Sequence, residues 1–200
     1  MNSNQELIFN EIHLAEIIKQ GSAALFPTDT LPALGVSPNN ANKIWELKQR
    51  PFEKPLILMG ATKEELFENV LSCALEDAFL VAIKYWPGPL TMVVPASGSI
   101  VQSLNKEDST IGIRIPSLDN AFKLLKLTGP LATTSANISG ATAAKNAVEA
   151  SSIFPELPLL GPIPWPLQPG LASTVISWQS QNKWKVLRSG PYPLDSNWEI

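Results

Sequence analysis

In 200 residues the chain has one cysteine, Cys73, one histidine, His13, and only three arginines, Arg50, Arg114 and Arg188. A single thiol cannot form an internal disulfide framework. One His and one Cys cannot close a zinc cage, and mechanisms that need two histidines are excluded with it. Charged residues are only 16% of the chain, where ~25% is usual. The formal net charge of −3 provides no overall basic field to attract nucleic acid. No apolar run approaches the ~18 residues of a membrane-spanning helix. Met1 to Gln20 carries Glu6, Glu11 and Glu16 without a basic n-region, so it does not read as a signal peptide. With the lone thiol, this predicts a cytoplasmic protein. Neither phosphate-loop fingerprint, G-x-x-x-x-G-K-[ST] or G-x-G-x-x-G, occurs.

Hydrophobic residues make up 44% of the chain, enough for a buried core. The length predicts one domain over 1–200, with its core at about 12–190 and a short tail at 191–200. The 18 prolines are scattered among apolar segments and mark segment ends rather than a linker. Helices are expected over Glu11–Gln20 (stripe Ile12, Ala15, Ile17, Ile18; cap Asn10), Ala41–Gln49, from Thr62 with Glu65 as a capping box, and over Leu75–Trp86, Leu118–Leu127 and Ala143–Ala150. Strands are expected at Ser22–Phe26, Pro55–Met59, Leu90–Val94, Thr110–Ile115 and Leu131–Thr134. A hairpin joins Ser173–Trp178 to Trp184–Arg188. Pro27–Pro38 reads as loop, and Pro155–Gly170 as a surface excursion placed to act as a lid before Ser173. Alternating strands and helices define an α/β class, and the hairpin makes the sheet mixed.

Each arginine lies at the end of an expected element, beside a proline or glycine corner: Lys48-Gln49-Arg50-Pro51, Gly112-Ile113-Arg114-Ile115-Pro116 and Leu187-Arg188-Ser189-Gly190. The guanidinium fork matches carboxylate and phosphate, so three such corners fit an anion cleft; ordinary surface salt bridges are the competing reading. Three turns rich in hydroxyls, Pro27-Thr28-Asp29-Thr30, Thr133 to Gly140, and Ala172-Ser173-Thr174, can supply hydroxyls and backbone N–H groups to anion oxygens, or can be simple turn chemistry. His13 receives no role, and Cys73, with no basic neighbour, reads as packing.

In order along the chain, Pro27-Thr28-Asp29-Thr30, Leu47-Lys48-Gln49-Arg50-Pro51, Lys54-Pro55-Leu56, Trp86-Pro87-Gly88-Pro89-Leu90-Thr91, Gly112-Ile113-Arg114-Ile115-Pro116, Ser135-Ala136-Asn137-Ile138-Ser139-Gly140, Ser173-Thr174-Val175 and Leu187-Arg188-Ser189-Gly190 resemble the YrdC-like family over roughly Ile12 to Gly190. Its K-x-R and S-x-N elements are present as Lys48/Arg50 and Ser135/Asn137. The resemblance implies a twisted mixed α/β sheet flanked by helices, with a concave central cavity. It implies a nucleotidyltransferase, a threonylcarbamoyl-AMP synthase of the short single-domain form. Such an enzyme joins L-threonine, bicarbonate and ATP into threonylcarbamoyl-AMP and pyrophosphate, for the N6-threonylcarbamoyladenosine at position 37 of tRNA. Its partners would be threonylcarbamoyl-transferase proteins and tRNA.

By resemblance, Lys48 and Arg50 are catalytic. Arg50, Lys54, Thr110, Ser135, Asn137 and Arg188 would bind ATP. Thr28, Arg114, Thr133 and Ser173 would bind threonine. Mg²⁺ would come with the ATP phosphates and no residue would hold a metal directly. Lys48→Ala or Arg50→Ala is expected to abolish turnover with the fold intact. The chain departs from the family pattern at Pro32-Ala33, where T-V-Y-G-L-G is common, and at Met59, where histidine often stands. Both departures fall on the amino-acid side. The alternative is a YrdC-like paralogue that binds nucleotide or RNA without threonine-specific synthesis.

Overall fold

The structure, a computed structural model, describes residues 7–107 and 109–192. Ten strands form one mixed sheet: β1 (Ile8–Phe9), β2 (Ala24–Phe26), β3 (Ala33–Val36), β4 (Ile57–Met59), β5 (Leu90–Pro95), β6 (Thr110–Arg114), β7 (Leu131–Ser135), β8 (Leu159–Leu160), β9 (Thr174–Ser180) and β10 (Lys183–Arg188). Their spatial order is β1-β8-β2-β3-β7-β4-β6-β5-β9-β10. The helices are α1 (Glu11–Lys19), α2 (Asn42–Lys48), α3 (Lys63–Phe67), α4 (Ser72–Tyr85), α5 (Ser99–Leu104), α6 (Asp119–Thr128) and α7 (Ala147–Ile153). β4 runs parallel to β6 and antiparallel to β7, so the expected mixed sheet is present. The tail at 193–200 lies outside the described residues.

Strand alternation sorts side chains onto two faces. Leu25, Leu34, Leu58 and Ala132 enter one core, with Trp45 of α2 and Ala78 and Val81 of α4. Their neighbours Ala24, Phe26, Ala33, Met59 and Leu131 face the other core, beneath Leu14 and Ile18 of α1 and Leu124 and Leu125 of α6. The central strands are covered on both faces, which explains their short, almost uninterrupted apolar runs.

Several boundaries differ from expectation, each for a local reason. Pro27–Pro38 contains β3, because Ala33–Val36 pairs with β2 and β7 on either side. Gly35 is required there: a Cβ would stand 2.7 Å from the Phe26 ring. Pro155–Gly170 is not simply a surface excursion. Leu159–Leu160 is inserted beside β1 and β2, and buried Trp165 donates its indole N–H to Leu160 O at 2.6 Å. A two-residue strand has no period to read. α7 begins four residues later than expected, because Asn146 caps it by accepting from Glu149 N at 2.9 Å. α5 was not anticipated. In α1 the buried residues are Leu14, Ala15 and Ile18, while Ile12 is exposed. α4 starts at Ser72 rather than Leu75, so Cys73 is exposed in its first turn rather than packed. The Asn10 cap forms, and at Thr62 the hydroxyl caps α3 by accepting from Glu65 N at 3.4 Å while donating to Glu65 Oε2 at 2.9 Å.

The β9–β10 hairpin is fastened to α4 by one buried carboxylate. Asp77 Oδ2 accepts from Trp178 Nε1 at 2.7 Å and from Asn182 N at 2.8 Å. Asp77→Ala removes the acceptor of the part-buried Trp178 indole N–H and of Asn182 N–H and is expected to lower unfolding stability by about 1–2 kcal/mol in urea titration. The same hairpin carries Arg188, so activity is expected to fall alongside stability.

Candidate active site

The face beneath α1 and α6 continues past those helices, and the uncovered part is the floor of a cleft of about 170 Å³, open to solvent. Ile57 and Met59 of β4 and Thr133 and Ser135 of β7 lie on this floor at period two. Sheet register places Met59 beside Arg114 and Ala33 beside Ser135. The walls come from the ends of elements: Thr28 and Thr30 after β2, Arg50 after helix α2, Arg114 at the end of β6, Ser173 before β9 and Arg188 at the end of β10. Every arginine in the chain therefore reaches one cleft. Among the described residues no carboxylate lines it. Among the described residues, Arg114 is the one arginine paired with an acid, through Asp29 Oδ1 at 2.7 Å. The surface salt-bridge reading is thereby set aside.

Each guanidinium is anchored by part of its fork and keeps other N–H groups for a ligand. Arg114 donates Nε to Gly88 O at 3.1 Å, Nη1 to Thr30 Oγ1 at 2.9 Å and Nη2 to Asp29. Burial pushes its pKa down, Asp29 opposes this, and Arg188 adds a smaller downward push. Asp29 Oδ2 is buried without a hydrogen-bond partner. Arg50 donates Nε to Lys54 O at 3.2 Å and Nη2 to Pro55 O at 3.0 Å, and Arg188 donates Nε to Ser173 O at 3.0 Å. Burial lowers the pKa of both. In a low-dielectric wall, Arg50 and Arg188, which have no ion-pair partner among the described residues, attract anions more strongly than the same charges in water. Ser173 Oγ, 2.8 Å from Thr91 Oγ1, also accepts from Arg188 Nη2 at 3.2 Å. Gly190 makes this wall possible: a Cβ there would strike Ala172 O and stand 2.5 Å from Thr174 N.

Lys48 is 1% exposed and does not line the cleft. Its Nζ donates to Ser135 O, to Asn137 O at 2.6 Å and to Asn137 Oδ1 at 3.1 Å. Ser135 Oγ donates to Asn137 Oδ1 at 2.7 Å, and Asn137 Nδ2 donates to Ile138 O and Ala141 O, each at 2.8 Å. One ammonium thus gathers the turn after β7 and sets the position of Ser135. Burial, assisted by the charge of Arg50, lowers the Lys48 pKa to about 7.

A family model named Sua5/YciO/YrdC and described as telomere recombination matches residues 16–190. The chain belongs to the Sua5/YciO/YrdC family. It is 38% identical over 131 residues to a threonylcarbamoyl-AMP synthase of Pyrococcus abyssi, across 63% of this chain and 38% of that protein. It is 34% identical over 142 residues to a protein of the same name from Idiomarina loihiensis, across 68% of this chain and 76% of that one. The crystal structure of P. abyssi Sua5 complexed with L-threonine matches with a TM-score of 0.85 at 31% identity, over 94% of this chain and 58% of that one. The chain therefore spans less than two thirds of the P. abyssi protein.

Within this member of the Sua5/YciO/YrdC family, the cleft gathers Thr28, Arg50, Arg114, Thr133, Ser135, Ser173 and Arg188 from the residues expected at the site. Lys48 and Asn137 lie behind the wall as its support. The side chain of Lys54 does not line the cleft, although its carbonyl anchors Arg50. Thr110 does not line it either. It begins β6 at the end opposite Arg114, about 13 Å along the strand, and accepts from Asn105 Nδ2 at 3.2 Å. Thr30, Thr134 and Ala172, members of the hydroxyl-rich turns that had been given no individual role, line the cleft, and so do Leu31 and Ile57. Alternation with Met59 on β4 was the available signal for Ile57. Both family departures, at Pro32-Ala33 and Met59, are on the cleft surface. Among the described residues, no group of three or more His, Cys, Asp or Glu could hold a metal, and no helix is long and apolar enough to cross a membrane.

Proposed function

We propose that this chain is a threonylcarbamoyl-AMP synthase acting on L-threonine, bicarbonate and ATP. The observation that carries this reading is the convergence of all three arginines on one cleft whose wall has hydroxyls and no carboxylate. The names of the relatives at 38% and 34% identity support it. In this reading Arg50 and Arg188 face the triphosphate and Ser135 contacts it. Arg114 takes the amino-acid carboxylate, beside Thr28, Thr133 and Ser173. Mg²⁺ is carried on the phosphates by oxygen and water ligands.

The amine of threonine bonds to the carbon of bicarbonate, and water leaves to give the N-carboxylate. A carboxylate oxygen then attacks the α-phosphorus, the bond to the β-phosphate breaks, and pyrophosphate departs. The wall contributes alignment of the two anions and neutralisation of charge on the phosphorus oxygens, which in a water-poor site provides much of the acceleration. The adenylate is consumed by a transferase acting on tRNA, for which this chain supplies the activated group.

The test is pyrophosphate release from ATP and bicarbonate with and without L-threonine, with mass detection of the adenylate. Threonine-dependent release is expected. Release that is independent of threonine, or that prefers another amino acid, would overturn the substrate assignment and direct the next substitutions to Pro32, Ala33 and Met59 on the cleft surface. Arg50 is half-buried and bonds only to carbonyls, so Arg50→Ala is expected to lower kcat/KM for ATP by roughly 100-fold or more with the melting temperature nearly unchanged.

A further inference from the structure

Helix α4 packs inward through Ala74, Ala78, Val81 and Ala82. Its outer surface is unusually apolar. Leu75, Phe79, Leu80 and Ile83 are 39%, 44%, 47% and 57% exposed. Scattered exposed apolar residues need no explanation, but a continuous strip on one helix marks an interaction surface. Helical spacing resolves the strip into two neighbouring rows at i, i+4. One is wholly apolar: Leu71, Leu75, Phe79, Ile83 and, just past the helix, Pro87. The other is Ser72, Glu76, Leu80 and Lys84.

The second row is its own electrostatic complement. Glu76 and Lys84 stand four residues to either side of Leu80, about 12 Å apart along the axis. Neither has an ion-pair partner among the described residues. If a second α4 is laid antiparallel across this face with a two-fold axis at Leu80, the row meets its own reverse. Glu76 then faces the partner's Lys84, Lys84 faces the partner's Glu76, and the two Leu80 side chains meet on the axis. The two-fold keeps the apolar rows of the two helices on the same side of this line, where they meet each other. A row with one acid and one base placed symmetrically about an apolar centre fits a copy of itself reversed, which is what an isologous two-fold contact requires. A parallel arrangement would set like charges opposite each other.

We propose that the outer face of α4 is the interface of a two-fold homodimer of this chain, centred on Leu80 and bounded by two reciprocal Glu76–Lys84 ion pairs. None of these residues lines the cleft, so both active sites stay open in the dimer.

Sedimentation equilibrium from about 1 to 200 μM, with each variant checked for an unchanged thermal transition and pyrophosphate-release rate, tests this. The wild-type chain is expected to dimerise and Phe79→Glu to remain monomeric. Glu76→Lys and Lys84→Glu alone are each expected to weaken the dimer about tenfold or more, because like charges then meet, and the double exchange is expected to restore it to within about threefold. A wild-type chain that stays monomeric throughout the range overturns the proposal. So does a dimer indifferent to Phe79→Glu, or a double exchange no tighter than the single variants. Because the variants lie outside the cleft, their failure to dimerise leaves the synthase reading untouched, and loss of turnover in the wild type leaves the interface untouched.

Discussion

Replacing Arg114 by lysine is expected to raise the KM for threonine by roughly 100-fold, while KM for ATP changes by less than about threefold. Lysine would keep the charge but not the fork. Arg114 uses Nε, Nη1 and Nη2 to hold Gly88 O, Thr30 Oγ1 and Asp29 Oδ1, and the remaining N–H groups are oriented by those three anchors. A lysine ammonium has three donors at one point and cannot span the same anchors while presenting two parallel N–H groups to a carboxylate. The variant keeps a cation beside Asp29, so the fold is expected to survive. Arg114→Ala would add the cost of an unpaired buried carboxylate and confuse the two effects. Separate KM values for threonine and ATP in the pyrophosphate assay decide the role. A rise in KM for ATP with threonine unaffected would assign Arg114 to the nucleotide instead.

The second large effect is expected at Lys48, and it differs from the simple loss of a phosphate contact. Lys48→Met is expected to reduce stability by about 3 kcal/mol as well as activity, since Ser135 O, Asn137 O and Asn137 Oδ1 would lose their shared buried donor. The expectation of an inactive but intact fold therefore applies to Arg50 and is revised for Lys48. Acidity gives a readout that a mere phosphate contact would not move. Burial lowers the folded pKa of Lys48 to about 7, from the 10.5 of a free lysine. Between those values the unfolded chain holds a proton that the folded chain has released. This group therefore makes the folded state more stable as pH rises through that window, and its charging penalty is fully present below pH 7. Urea titrations of wild type and Lys48→Met at several pH values are expected to show this slope only in the wild type. Parallel pH dependence in the two proteins would show that Lys48 does not titrate in the turn.

The pieces of the fold that were legible in the sequence are those whose cause is local. The Asn10 cap, the Thr62 cap of α3, the hairpin from β9 to β10 and the segment-ending arginines follow from neighbouring residues, and all are in place. What was not legible depended on distant partners. β3 looked like loop because two residues before it is Leu31-Pro32 and its own run contains Gly35, yet β2 and β7 hold it on both sides. β8 is two residues long and exists because β1 and β2 bracket it. The same division runs through the site. Scarcity and corner positions pointed to Arg50, Arg114 and Arg188 as an anion set. That Thr110 falls at the wrong end of β6, and that Lys48 turns away from the cleft to hold the Ser135–Asn137 turn, depends on strand direction and on a contact spanning 89 residues.

Composition and motif order alone determined the α/β class and the family, and marked three arginine corners suited to an anion, because these rest on residue types and their succession. Only the tertiary structure decided which of those residues share a wall, which support it from behind, and which face of α4 is left uncovered. Those choices follow from sheet register and from the packing of helices on two faces, where side chains far apart in sequence must satisfy one another's hydrogen bonds and volume at the same time.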